Sequence, residues 1–280
     1  MITSTDFASS KADFEDHRAA VWQRIHDRHQ EAIKTKNAKF VLPTIELSIT
    51  SVIRIANRSS FHSMTLRDLS RATDISMGAL YCYIQSKEHL QEIILGEVTH
   101  LVETVLDDRG SNQLELGPRL RWLLRRHIHL CEIMQPWFFF AYMEAKSFDR
   151  PGRRIAIRSE LRTEGLLSAC LKAGQATGAF RPVDPVMTAS MIKPLLQDWY
   201  LKRWKYRRRE VTPDSYADWV VEFVEVLVVA GGKPSGEAMV PFGPGARERP
   251  IDLCNIRLEW KGPWSRLTNP RPNRSPLQHS

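Results

Sequence analysis

Apolar residues recur at intervals of three and four along much of the chain, which is the spacing of one face of an α-helix. This pattern predicts a helix over 14–33, a second over 40–58 and a longer one from Ser86 to Val105. No segment alternates apolar and polar positions for long, as a half-buried strand would. The pattern therefore predicts an all-α fold.

Two short helices fit between the second and the longer helix, and each has its own start. Thr65 is an N-cap residue with Asp68 at the third helical position, and Ser76 is a second N-cap. Only residues 73–75 separate the two helices. A connection this short forces a sharp angle, so the sequence predicts a helix-turn-helix between 65 and 83.

The chain divides into four predicted parts. They are an N-terminal extension, partly helical, over 1–39; a helix-turn-helix domain over 40–106; a second helical domain over 118–231; and a Pro/Gly-rich tail over 232–280. Turn-forming residues between Asp107 and Pro118 mark the boundary between the two domains. Within the second domain, helices are predicted over 120–131, 154–173, 185–206 and 213–229, with Pro136 breaking the chain before an aromatic run.

Charge and cysteine usage narrow the class of protein. The net charge of +8 favours a polyanionic partner, because Lys and Arg gain most where they displace counterions from phosphate. The four cysteines lie far apart with no metal-ligand spacing, which is typical of reduced thiols. The acidic N-terminus is unlike a signal peptide, and no apolar run is long enough for a bilayer. We expect a cytoplasmic protein without membrane association, metal or cofactor.

The run from Ile45 to Leu90 resembles the DNA-binding domain of the TetR family of transcriptional regulators. Its most specific part is the string SMGALYCYIQSKEHL, residues 76–90. The matching residues are Ala56, Phe61, Thr65, Leu69, Ala72, Ile75, Ser76, Gly78, Leu80, Tyr81, Tyr83, Ser86, Lys87, Glu88 and Leu90. Ser60, Asp74 and Ile84 depart from the residues common in the family, in ways that the fold tolerates.

The resemblance implies that the second short helix enters the major groove of an operator in double-stranded DNA. Short or polar side chains suit base contacts and close backbone approach, and such residues start this helix: Ser76, Met77, Gly78 and Ala79. The family positions that clamp the sugar-phosphate backbone are matched by Tyr81, Tyr83 and Lys87, with Thr65 and Arg67 at the start of the preceding helix. Each residue alone also has a structural explanation, as a cap, a packed ring or a solvated charge.

The resemblance further implies a homodimer whose second domain binds a small-molecule effector. The segments that wall the effector cavity in this family carry Trp122, His127, Cys131, Phe139, Tyr142, Met143 and Glu144. A mostly apolar lining with few polar groups is typical of a ligand pocket, and equally of a core. The aromatic run favours a hydrophobic effector such as an acyl-CoA, a fatty acid or an aromatic compound. Repression, relieved by this effector, is the expected activity.

Two other classes of function remain open. An enzyme is disfavoured, because the chain has no H-E-x-x-H, no G-x-S-x-G and no phosphate-binding glycine loop. A helical adaptor or small-molecule-binding protein without DNA affinity is the stronger alternative. The basic run over 202–209 has the composition of a nucleic-acid patch, but its distance from the helix-turn-helix favours a solvated helix end or a subunit contact.

Overall fold

The computed structural model describes residues 6–33, 38–106 and 113–229, and these residues form α-helices with no strand among them. The helices are α1 (Phe7–His29), α2 (Ala38–Ala56), α3 (Leu66–Thr73), α4 (Met77–Leu80), α5 (Lys87–Leu106), α6 (Leu116–Ile133), α7 (Gln135–Met143), α8 (Arg150–Ala176), α9 (Pro185–Leu201), α10 (Arg203–Arg208) and α11 (Pro213–Val228). The all-α prediction is confirmed. The predicted tail over 232–280 and residues 107–112 of the predicted boundary lie outside the described residues.

Helices α2 to α5 form a small unit around a shared apolar core. Helix α2 packs on α3 and α5, and α3 packs on α4. Ile49, Leu69, Leu80 and Leu90 supply one wholly buried side chain from each helix in turn. Leu69 and Leu80 therefore fix α3 and α4 to the rest of the unit and leave their other faces exposed.

The second helical unit is larger and is built on α6, α8, α9 and α11. Helix α6 contacts the other three, and α8 lies along α9. Trp137 and Trp199 are its largest fully buried side chains. Helix α7 follows α6 after one residue, and Pro136 lies in its first turn, where a proline removes no helical hydrogen bond. The predicted break at Pro136 is confirmed.

Helix α1 bridges the two units. It packs on α2 and α5 of the first and on α6 of the second. Near its C-terminal end, Arg24 Nη2 lies 2.5 Å from Oε1 of Glu97, whose side chain is wholly buried in α5. Near its N-terminal end, Ser10 Oγ lies 2.9 Å from Nδ1 of His129 in α6. The N-terminal extension is thus part of the packed structure.

Several helices differ from their predicted bounds, and three of these differences change the description of the fold. Helix α1 starts at Phe7, seven residues before position 14, because the Asp6 side chain accepts a hydrogen bond from the Ser9 N–H and caps it. Helix α2 starts at Ala38, which puts Pro43 inside the helix instead of in its first turn. The helix predicted over 185–206 is two helices, since the backbone leaves helical geometry at Lys202.

The basic run over 202–209 is largely engaged with the body of the protein. Arg203 donates hydrogen bonds to both carboxylate oxygens of Glu132, at 2.7 and 3.1 Å, and lies over the Trp199 ring. Lys202 and Lys205 both pair with Asp198. These contacts support the structural explanation of the run over a nucleic-acid patch.

Candidate functional site

Local hydrogen bonds shape the helix-turn-helix. The Thr65 hydroxyl accepts from the Asp68 N–H, and the Asp68 carboxylate accepts from the Thr65 N–H, so a complete capping box starts α3. Asp74 follows α3 with φ of 57° and ψ of 28°, the left-handed conformation that a short polar residue tolerates. This residue turns the chain toward α4, so the predicted N-cap and bend are confirmed.

Helix α4 is short and starts at the predicted cap. The Ser76 hydroxyl accepts a 3.3 Å hydrogen bond from the Ala79 N–H. Beyond Leu80 the backbone continues in turns, with the N–H of Tyr83 and of Ile84 donating to the carbonyl oxygen of Leu80. Leu80 and Ile84 are buried, and they hold this segment against the core.

The nine predicted DNA-binding residues all lie at the surface of this unit. Thr65, Arg67, Ser76, Gly78, Ala79 and Tyr81 are exposed, and Met77, Tyr83 and Lys87 are half-buried. The Tyr81 ring is 46% exposed although it is large and apolar. Gly78 has open space around it, since a Cβ built there would meet no atom within 4 Å. Packing therefore gives no reason for a glycine at position 78.

Lys87 has a structural contact as well as its predicted role. Its ammonium donates a 2.7 Å hydrogen bond to the His62 carbonyl oxygen and lies 4.7 Å from the centroid of the Phe61 ring. Partial burial lowers the pKa of the amine from its ordinary value, although the nearby carboxylates of Glu88 and Glu144 raise it. Lys87 thus holds the connection between α2 and α3 at the start of α5.

Helix α1 supports the helix-turn-helix from beneath. Tyr83, Ile84 and Leu90 line a cavity of about 10 Å³ together with Ile25 and His29 of α1. A space of this size holds one water molecule at most. The position of the Tyr83 ring therefore depends on the position of α1.

A pair of histidines joins α1 to α5 at this place. His89 Nε2 lies 3.3 Å from Nδ1 of His29, and the Gln85 N–H donates to His89 Nδ1. Because His89 Nδ1 accepts, its proton is on Nε2, which donates to His29. Burial lowers the pKa of His89, and burial with the charges of His89 and Arg28 lowers that of His29 to about 4. Both rings are neutral at pH 7.

This pair predicts a loss of stability in acid. The unfolded chain takes up a proton on His29 near pH 6.5, whereas the folded protein takes it up only near pH 4. The stability of the folded state is therefore complete above pH 6.5 and falls as the pH drops toward 4. We expect the half-buried His29 to contribute about 1–2 kcal/mol of this loss. Other histidines titrate in the same range, so the test compares His29→Gln with the wild type in urea unfolding at pH 7 and pH 4.5. Equal acid losses in the two proteins would contradict this role.

The seven residues predicted to bind the effector lie in different environments. Trp122, His127, Cys131 and Glu144 are buried, Phe139 is half-buried, and Tyr142 and Met143 are exposed. Glu144 Oε2 accepts a hydrogen bond from the Ser60 hydroxyl, so it faces the first helical unit. Periodicity along single helices could not separate these environments.

One buried polar group beside His127 was not predicted from the sequence. Lys193 of α9 is 5% exposed, and its ammonium is close enough to lower the pKa of His127. Lysine is ordinarily exposed, and this one offered no sign of burial beyond its apolar neighbours in α9.

Among the described residues, no three His, Cys, Asp or Glu side chains come together as a metal site. No described helix has the length and apolar character needed to cross a bilayer.

Known proteins resemble the chain in sequence and in structure, although no family model matches it. The HTH-type transcriptional regulator HbdR of Aromatoleum sp. (strain CIB) is 23% identical over 194 residues, which cover 69% of this chain and 84% of HbdR. A tetR-family regulatory protein from Rhodococcus RHA1 superposes with a TM-score of 0.60 at 20% identity and covers 67% of this chain and 98% of its own. AibR, in a complex with isovaleryl coenzyme A and operator DNA, gives a TM-score of 0.53 at 20% identity, covering 63% of this chain and 97% of AibR.

The chain has an N-terminal helix-turn-helix unit followed by a larger helical unit, which is an all-α architecture. Within that architecture, the chain has the fold of the TetR-family transcriptional regulators. The resemblance found in the sequence between Ile45 and Leu90 is confirmed at the level of the fold.

Proposed function

We propose that the chain is a DNA-binding transcriptional regulator that acts as a homodimer and represses its target genes. The observation that carries this proposal is the exposed surface of α4, with Gly78 in open space and a largely exposed Tyr81, on a TetR fold. Ser76 to Ala79 read bases in the major groove, and Tyr81, Tyr83, Lys87, Thr65 and Arg67 contact phosphates. No part of this activity is catalytic.

The second helical unit binds an effector that releases the protein from DNA. AibR, which shares the fold, was solved with isovaleryl coenzyme A and operator DNA together. The aromatic side chains of α7 provide a surface for an apolar acyl chain or ring, so we propose a hydrophobic effector such as an acyl-CoA, a fatty acid or an aromatic compound. The protein acts in the cytoplasm without membrane association. The domains are those proposed from the sequence, over 40–106 and 118–231, joined by the extension over 1–39 and followed by the tail over 232–280.

A gel shift tests the proposal. The purified full-length chain is titrated into the DNA upstream of its own gene, and into a fragment of equal length and shuffled sequence at the same salt concentration. We expect the upstream fragment to bind at least about a hundredfold more tightly. Equal affinity for both fragments, or none for either, would favour the helical adaptor.

The dimer interface is proposed from an exposed apolar face. Six large apolar side chains on α9 and α11 are exposed: Val186, Met187, Met191, Trp219, Phe223 and Val226. The two helices pack on each other, and the residues recur at helical spacing on each. A patch of this kind on a monomer marks an interaction surface, and a second copy of the chain has the matching patch.

Phe223→Glu is expected to dissociate the dimer. Phe223 is 62% exposed, so the change costs the folded monomer little, but it buries a carboxylate in the centre of the apolar face. Light scattering should show the wild type at twice 32.3 kDa and the variant at 32.3 kDa. Lys172→Gln, which lowers the net charge by the same unit at an exposed position of α8, should stay dimeric. A dimeric Phe223→Glu variant would place the interface elsewhere.

A further inference from the structure

A buried histidine of the second helical unit has no hydrogen-bond partner among the residues that the structure describes. His127 of α6 is 1% exposed, and neither of its ring nitrogens has a partner within the described residues. Buried polar groups are nearly always paired, and leaving one unpaired costs about 1–3 kcal/mol. A leucine of similar volume would avoid this cost. Packing alone therefore does not account for a histidine at position 127.

The second polar group of this region is the ammonium of Lys193. It lies 3.6 Å from Glu160 Oε2 of α8, which is too long for a hydrogen bond. Glu160 is itself partly exposed and accepts a 2.7 Å hydrogen bond from the Gln197 side chain. The buried ammonium thus keeps hydrogen-bonding capacity that Glu160 does not use.

The charge state of His127 follows from its surroundings. Burial and the positive charge of Lys193 lower the pKa of the imidazole well below its usual value. The ring is therefore neutral at pH 7 and has one N–H donor. His127 and Lys193 together present a neutral donor and a cationic donor, a combination that suits an oxygen acceptor on a ligand.

A file of aromatic rings leads from His127 to the protein surface. The His127 ring centroid lies 6.2 Å from that of Phe138, which lies 5.5 Å from that of Tyr200. The Tyr200 centroid lies 6.5 Å from that of Tyr142, whose side chain is 48% exposed. An apolar acyl chain or aromatic ring could lie along this file with its oxygen at the buried end.

We propose that His127 and Lys193 bind the acyl oxygen of the effector, with the apolar part of the effector along Phe138, Tyr200 and Tyr142. This assignment rests on the proposed effector function and names the chemistry that the site recognises. The acyl oxygen is that of a free carboxylate, because in a thioester the coenzyme A is joined to the same carbonyl carbon and would have to be buried beyond His127. The aromatic file and the buried donors lie on three different helices, α6, α7 and α9, so the effector bridges elements that pack together in the folded chain.

Melting temperature provides a first test that needs no ligand. His127→Leu removes an unpaired buried polar group, so we expect the melting temperature of the full-length protein to rise by roughly 2–6 °C. His129→Leu is the matched control, because His129 is equally buried in α6 but contacts Ser10 and Asp214 at 2.9 and 3.0 Å. We expect this control to lower the melting temperature. A loss in His127→Leu as large as in the control would show that His127 is structural and would overturn the proposal.

Ligand binding provides the second test. Isovaleryl-CoA, benzoyl-CoA and the two corresponding free acids are each titrated into wild type, His127→Leu, Lys193→Met and His129→Leu by calorimetry. We expect at least one probe to bind the wild type, with the affinity reduced at least about tenfold in His127→Leu and Lys193→Met and nearly unchanged in His129→Leu. We expect each free acid to bind more tightly than its thioester, and a preference for the thioester would overturn the proposal. Absence of binding by all four probes, or equal affinity in all four proteins, would overturn the proposal.

The same titrations separate this proposal from the proposed function. Operator affinity is measured on the wild type alone by gel shift, with and without the probe that binds. Binding of the probe without any DNA affinity would leave the site intact and defeat the regulatory role. DNA affinity without binding of any probe would leave the regulatory role intact and defeat the effector site.

Discussion

Gly78→Glu is expected to leave the protein folded and to weaken its binding to operator DNA by at least about a hundredfold, which corresponds to about 2.7 kcal/mol. A side chain at position 78 meets no atom within 4 Å, and glycine is a poor helix former. A carboxylate in the first turn of α4 also interacts favourably with the helix dipole. Folding should therefore be preserved, whereas a bulky anion in the groove would clash with the DNA and be repelled by its phosphates.

The measurement for this variant combines gel shifts with thermal unfolding. Gly78→Gln separates bulk from charge, and we expect its loss of affinity to be smaller and less dependent on salt. Gly165→Glu is the matched control, because Gly165 is an exposed helical glycine of α8 that also has no atom within 4 Å of its built Cβ. Wild-type affinity in Gly78→Glu would show that α4 does not approach DNA.

Arg24→Met is expected to lower the free energy of unfolding by about 2–4 kcal/mol. Glu97 is wholly buried in α5, and Arg24 Nη2 lies 2.5 Å from its Oε1. Removing the guanidinium leaves a buried carboxylate whose remaining cation, Arg28, is 3.9 Å away and largely in solvent. We expect a smaller loss of stability than for a fully buried ion pair, because 29% of the Arg24 side chain is exposed.

Two further variants make this test specific. Arg71→Met breaks the ion pair between Arg71 and Asp68, which has the same 2.5 Å distance but lies at the surface of α3, so we expect a much smaller change. Adding Glu97→Gln to Arg24→Met should restore part of the lost stability, because the buried charge is then gone. A loss in Arg24→Met no larger than in Arg71→Met would show that α1 contributes little to the folded state.

The parts of the structure that were predictable from the sequence are those set by neighbouring residues. The caps at Thr65 and Ser76 each accept a hydrogen bond from an N–H three residues further along. Such contacts need no knowledge of the rest of the fold, so residue type and spacing suffice. The left-handed turn at Asp74 is of the same kind.

Features that depend on distant residues were missed or misplaced. The start of α1 is fixed partly by the Phe7 N–H, which donates to the Asp214 carboxylate 207 residues away. The sequence likewise could not show that Lys193 is buried beside His127, because the two come together only when α6 packs on α9. The effector residues were chosen from helical segments, and a segment such as α7 has both buried and exposed faces.

The central claim is that residues 76–83 enter the major groove of DNA, and methylation protection on the upstream fragment tests it most directly. Dimethyl sulfate modifies guanine N7, an atom in the major groove. We predict that the wild-type dimer protects guanines in two symmetric half-sites, about one helical turn or a multiple of it apart, and that Gly78→Glu abolishes the protection. Binding that leaves every guanine N7 reactive, or protection that is unchanged in Gly78→Glu, would contradict the claim.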